Sequence, residues 1–283
     1  MGDLDNLRRI APARLNTARD LAHKAVQLVT KAARANLAAA PDDSHSNLGW
    51  DGKRGAFRSQ PIVGRNGTIV SGFAVSAFEL IVIGDGREIA THKLAGVADA
   101  DAAEWLDIQL ADAGLEPTNA TTLPYDLPAS VERIDTYALD GVGEALEVLA
   151  SWYTLADEVL EASAEKLNDV HPGPSAVRCW PHHFDIATYI SLEDGDFETA
   201  RGIGIGMSPG DDTYGEPYFY INPWPHLSPD ALPQLPAPGH WHTQGFVGAI
   251  ATASEVLSLS DIDKDLPRFA DAAVAIGRTM LGA

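Results

Sequence analysis

Stretches with the three-and-four spacing of a helix face stand apart from long runs of Val, Ile and Phe, and this segregation constrains the fold more than any other feature of the chain. Ala18, Leu21, Ala25, Leu28, Val29 and Ala32 fall on one face of a helix over residues 13–37. Val142, Leu146, Leu149, Tyr153, Ala156, Leu160 and Leu167 mark a second helix of about 27 residues, which Pro172 and Pro174 keep from continuing. A last helix over 262–281 starts behind Ser260, with Asp263 three residues on in a capping-box-like arrangement. Between them lie strand-like runs at 56–63 and 69–83, and Gly84-Asp85-Gly86 turns the chain back into a strand ending near Lys93, a hairpin signal. A shorter helix over 99–113 buries Trp105, Leu106 and Leu110 and is capped by Gly114. Further strands are expected at 177–192, 199–207, 217–222 and 241–253.

Helices segregated from runs of strands argue for an α+β fold with antiparallel sheets, not an alternating parallel one. Leu115 to Asp135 carries Pro117, Pro124 and Pro128, has no helical period, and is the natural place to divide the chain. The halves 1–135 and 136–283 each read helix, strands, helix, and are expected to form one compact unit. With 283 residues there is chain enough for a core that needs neither disulfide nor metal.

Lys and Arg number 20 against 40 Asp and Glu, a formal net charge of −20. Binding to nucleic acid or to an anionic membrane surface depends on clustered cations, so neither is an expected partner. The single cysteine, Cys179, cannot close an intrachain disulfide, and no apolar run reaches the length of a membrane span, so the chain reads as cytoplasmic.

Chemistry concentrates between Trp180 and Phe246, under a quarter of the chain, which holds 11 of the 21 aromatics, 9 of the 18 prolines and 5 of the 9 histidines. If Trp180 to Asp185 continues as a strand, alternation puts His183 on the face of Asp185, and His240 likewise shares a face with His242. Two such pairs are a spacing that supplies nitrogen and oxygen ligands to a divalent transition metal, so His183, Asp185, His240 and His242 are the candidate ligand set. The competing reading is a polar network in which the imidazoles bond to nearby carboxylates and backbone. Without metal, His183 oriented by Asp185 is a candidate general base, with Asp211 or Glu216 as the acid. Ser208-Pro209-Gly210-Asp211 is turn chemistry, not the glycine-flanked elbow of a nucleophilic serine. Gly202, Gly204 and Gly206 bare one face of a strand, for the close packing of an aromatic from the same region or as the floor for a planar ligand. Tyr218 and Tyr220 share a face, and with Trp241 they are candidate ligand-binding side chains.

The series Trp180-Pro181-x-His183-Phe184-Asp185, Ser208-Pro209-Gly210-Asp211, Glu216-Pro217-Tyr218-x-Tyr220, Pro223-Trp224, and Trp241 ahead of Phe246-x-Gly248-Ala249 resembles the motif series of a bacterial family of conserved proteins known only as a domain of unknown function. The resemblance covers Cys179 to Val256, and Asp43-Ser44-His45-Ser46-Asn47 with Trp50 fits the same pattern. It implies a cleft built from these loops, to which Asp43 and His45 contribute, and it supplies no reaction. The functional expectation is a small-molecule site with hydrolase-like use of a His-Asp pair. The alternative is a non-catalytic ligand-binding or structural protein whose polar loops form a satisfied network.

Overall fold

The computed structural model describes residues 4–195 and 199–283, and within them the chain is α+β with two antiparallel sheets. In chain order come helices α1 (Leu4–Leu7) and α2 (Asn16–Asn36), strands β1 (Gly49–Asp51), β2 (Ala56–Arg58), β3 (Ile62–Gly64), β4 (Gly67–Ala74), β5 (Glu79–Gly84) and β6 (Arg87–Lys93). Helices α3 (Asp99–Asp112), α4 (Ala129–Glu132) and α5 (Gly143–Lys166) follow. Then come β7 (Gly173–Pro174), β8 (Arg178–Trp180), β9 (Asp185–Ser191), β10 (Gly202–Ser208), β11 (Tyr218–Trp224), β12 (His240–His242) and β13 (Gly248–Thr252), closed by α6 (Ala253–Leu257) and α7 (Ile262–Leu281). No helix among the described residues is long and apolar enough to cross a membrane.

Contacts group the chain into two compact units: Leu15–Ser151 with Cys179–Phe184, and Met1–Arg14 with Trp152–Arg178 and Asp185–Ala283. The boundary after Ser151 falls inside α5. The proline-rich stretch after Leu115 is not structureless; it holds α4, and Ala98 pairs with Thr136 across it.

In the first unit the sheet order is β1-β2-β4-β5-β6, with β3 paired to β4. The run 69–83 is two strands, because residues 75–78 turn back and Phe78 takes a left-handed φ of 50°. Helix α2 packs on β4 with every apolar position of the expected face buried. Phe57 and Phe73 are cross-strand partners that face α2, and Phe57 meets Phe184, whose ring stacks on His23 of α2.

His23 is a buried group that the periodicity did not single out. Its Nε2 donates to the Pro181 carbonyl at 2.8 Å, as does Gln27 Nε2 at 2.9 Å, and Tyr125 Oη donates to Gln27 Oε1 at 2.9 Å. These bonds tie α2 to the turn before Phe184. Burial lowers the His23 pKa to about 4 against the Pro181 bond that raises it, so the imidazole is neutral at pH 7. The unfolded chain therefore binds the extra proton between pH 6.5 and about 4, and stability falls as pH drops through that window, by about 3 kcal/mol in all. His182, lowered to about 4 by burial and then by His183, adds in the same direction. Urea unfolding at pH 7 and pH 4.5 should show the fall, and His23→Gln should remove the larger part of it; equal slopes in the two proteins would contradict the assignment.

In the second unit the order is β12-β13-β11-β10-β9-β7. Helix α7 covers one face of β10 and β11: a Cβ at Gly277 would stand 3.0 Å from Ile203 and 3.1 Å from Pro223. Its range agrees with the sequence reading, but the cap is Asp261 and not Ser260, since the Asp261 carboxylate accepts the Lys264 N–H at 3.1 Å. Alternation then places Gly202, Gly204, Gly206, Tyr218 and Tyr220 on the face turned away from α7.

Candidate functional site

Of the candidate residues, the second unit brings together Asp185, Asp211, Tyr218, Tyr220, His240 and His242 on that face and its rim. Gly206 lies opposite Tyr220, and a Cβ there would collide with the Tyr220 ring; one at Gly202 would collide with the Tyr189 ring. The close-packing reading of these glycines thus holds at two positions, whereas at Gly204 the nearest atom is the Asn222 carbonyl at 3.8 Å. Gly206→Ala should therefore cost about 1–3 kcal/mol of stability by overpacking, and Gly204→Ala well under 1 kcal/mol. Thermal unfolding of the pair checks this, and equal losses would contradict it.

The Tyr220 hydroxyl, held over Gly206, donates to the Asp185 carboxylate at the start of β9. Tyr218 Oη donates to Asp211 Oδ2 at 2.6 Å. Asp211 can receive it because its other oxygen is fixed in an Asx turn, accepting the N–H groups of Thr213 at 2.7 Å and Tyr214 at 3.0 Å. Burial, then the Asp211 bond and charge, push the Tyr218 phenol far up, so it stays a donor. Tyr214, carried on the same turn, lies 4.9 Å from the Tyr218 ring, and Tyr218 lies 6.2 Å from Tyr220, which gives a row of three phenols. Burial, then Glu255 and Asp211, raise the Tyr214 pKa as well.

His240 and His242 share a face as expected, and both point at Tyr214 Oη. His242 Nε2 lies 2.6 Å from the Gln244 carbonyl, so it carries the ring proton and Nδ1 accepts the single Tyr214 proton at 2.9 Å. His240 Nε2 stands further off, at 3.4 Å. On its other side His240 Nδ1 approaches Glu255 Oε1 to 3.0 Å, off the line of a hydrogen bond. Glu255 is itself held by the capping box at the start of α6: its Oε2 accepts the Thr252 N–H at 2.8 Å, and Thr252 Oγ1 accepts the Glu255 N–H at 3.4 Å.

Tyr214 and Glu255 were not among the sequence candidates. The Thr252-Ala253-Ser254-Glu255 pattern is a readable capping box, and Asp211-Asp212-Thr213-Tyr214 a readable turn, but neither pattern says which side chain it aims at.

Other candidates stand elsewhere. Residues 181–184 form a turn closed by the Phe184 N–H on the Trp180 carbonyl at 2.8 Å, so the strand alternation invoked for His183 and Asp185 does not apply. His183 is exposed on that turn with its ring against His182, 4.1 Å between centroids. Glu216 caps α6, accepting the Ser254 N–H at 3.1 Å and its hydroxyl at 2.5 Å, which is a structural task. Trp241 points to the opposite face of β12 from the two histidines and donates Nε1–H to the Pro233 carbonyl at 2.7 Å. In the first unit Asp43 takes a left-handed φ of 57° and pairs with Arg34 at 2.7 Å, while His45 Nδ1 accepts the Ala40 N–H at 3.2 Å. Among the described residues no group of three or more His, Cys, Asp or Glu side chains is placed to hold a metal ion. The ligand set His183, Asp185, His240 and His242 is thereby corrected: the nitrogens of His240 and His242 are turned to Glu255, Tyr214 and the Gln244 carbonyl.

No family model, no curated protein and no solved structure matches the chain.

Proposed function

We propose that the chain is a hydrolase-like enzyme acting on a small molecule, and that His240 backed by Glu255, in place of the expected His183-Asp185 pair, performs its general acid-base step. The observation that carries this reading is the 3.0 Å approach of Glu255 to His240 Nδ1. With the ring proton on Nδ1, the nitrogen beside the carboxylate, the Nε2 lone pair is the basic site. The Tyr214 proton is committed to His242, which leaves that lone pair for a substrate hydroxyl or a water. Tyr218 and Tyr220, whose single protons go to Asp211 and Asp185, would position the substrate by accepting hydrogen bonds at their hydroxyl oxygens. The partner is a small molecule and not a nucleic acid, in keeping with the net charge of −20. The cytoplasm is the compartment that suits a buried Cys179 thiol.

A panel of p-nitrophenyl acetate, p-nitrophenyl phosphate and p-nitrophenyl β-glucoside tests the reading. At least one should be hydrolysed by the wild type and about 100-fold less by His240→Ala, while His183→Ala keeps the rate. Equal turnover by His240→Ala and wild type would reject it.

One observation favours the non-catalytic alternative: Asp185, Asp211 and His242 each already have a protein partner, as a satisfied structural network would. On that reading the same variants lose stability and no activity.

A further inference from the structure

The first unit has a cavity that the reading above does not use. On the face of its sheet opposite α2, Ala56, Ala74 and Ile81 form a small buried cluster with Ile83 packed against it. Beyond that cluster, Val70 and Ile83 are only half buried and floor a cleft of about 530 Å³. That volume lies inside the usual range of roughly 300–1,000 Å³ for small-molecule sites. Four charged side chains stand on its walls: Arg54, Arg58, Asp85 and Glu88.

Arg54 pairs with Glu88, and Arg58 with Asp51. A guanidinium has five N–H donors, of which one ion pair uses at most two. The two arginine side chains remain 40% and 34% exposed, so further donors reach the cleft. A purely anionic ligand would meet Asp85, Glu88 and the field of a chain of net charge −20, and a purely cationic one would meet two guanidinium groups. A ligand with one charge of each sign complements both, and an apolar group on it would cover Val70 and Ile83.

We propose that this cleft binds a small zwitterion with an apolar side chain, an apolar α-amino acid or a dipeptide of such residues. Its carboxylate lies on Arg58 and Arg54, its ammonium on Asp85, and its side chain on Val70 and Ile83.

Isothermal titration calorimetry on the whole chain tests this with L-leucine, L-leucyl-L-leucine, 4-methylpentanoate, which lacks the ammonium, and isoamylamine, which lacks the carboxylate. Saturable binding is expected for L-leucine or the dipeptide, and the tighter of the two identifies the source. Both truncated probes should bind at least about tenfold more weakly. Arg58→Gln should weaken binding by at least about tenfold, and Thr68→Trp, which fills the cleft from an exposed strand position, should abolish it. Circular dichroism and the thermal midpoint report whether each variant is folded, and Thr68→Trp stands in if loss of the Asp51 pair unfolds Arg58→Gln. The proposal is overturned if neither zwitterion saturates by about 10 mM, if 4-methylpentanoate binds as tightly as L-leucine, or if folded Thr68→Trp binds as the wild type does.

Discussion

Replacing Phe184 by alanine is expected to lower the unfolding free energy by about 3–5 kcal/mol, the cost of removing a fully buried aromatic ring and leaving a cavity. The ring has no exposed surface, stacks on His23 at 5.1 Å with 6° between planes, and meets Phe57 at 5.4 Å. Its backbone sits at φ 58°, where any side chain with a Cβ is strained by roughly 1 kcal/mol or more. Alanine keeps that strain and loses the packing, whereas glycine loses the packing and sheds the strain. Phe184→Gly should therefore be no less stable than Phe184→Ala, the reverse of the usual order for a core position. Urea unfolding of the two variants measures this; a glycine variant less stable than the alanine one by 1 kcal/mol or more would mean that the left-handed turn is not what holds the ring.

Phe184 also marks where sequence reasoning stops. The faces of α2 and α5 were legible because a 3.6-residue period needs nothing but the chain itself: all six positions read for α2 are buried, as are Leu146, Leu149, Tyr153, Ala156 and Leu160 of α5, whereas Val142 and Leu167 fall just outside α5 and are half-buried. Trp180-Pro181-His182-His183-Phe184-Asp185 offers an apolar and aromatic pattern that a strand would also show. The turn exists because a large ring gains more by burial between His23 and Phe57 than the left-handed backbone costs, and that balance is struck by residues more than 100 positions away in sequence. The pairing of Tyr218 with Tyr220, and of His240 with His242, was legible because strand alternation is local. The partners of those side chains were not. Asp185 is brought to Tyr220 by the β9-β10-β11 register, and Glu255 reaches His240 only because a capping box turns it back beside β12.

The second large effect concerns that last contact. On the proposed hydrolytic reading, His240→Ala should lower kcat/KM by about 10²–10⁴-fold, the usual contribution of a positioned general base. Glu255→Gln should cost less, roughly 10-fold or more. The amide retains the α6 capping interaction through its oxygen, which leaves its NH2 facing His240 Nδ1, so the charge behind the imidazole is lost and the tautomer with a free Nε2 lone pair is disfavoured. A glutamate acting through the imidazole has nothing left to act on once the imidazole is gone.

The double-mutant cycle on kcat/KM is the most direct measurement of this arrangement. If His240 and Glu255 form one acid-base unit, the variant carrying both His240→Ala and Glu255→Gln will be no slower than His240→Ala alone, with its thermal midpoint close to that of the single variants. If the two losses instead multiply, or if His240→Ala turns over substrate at the wild-type rate, the His240-Glu255 pair is not the catalytic unit of this protein.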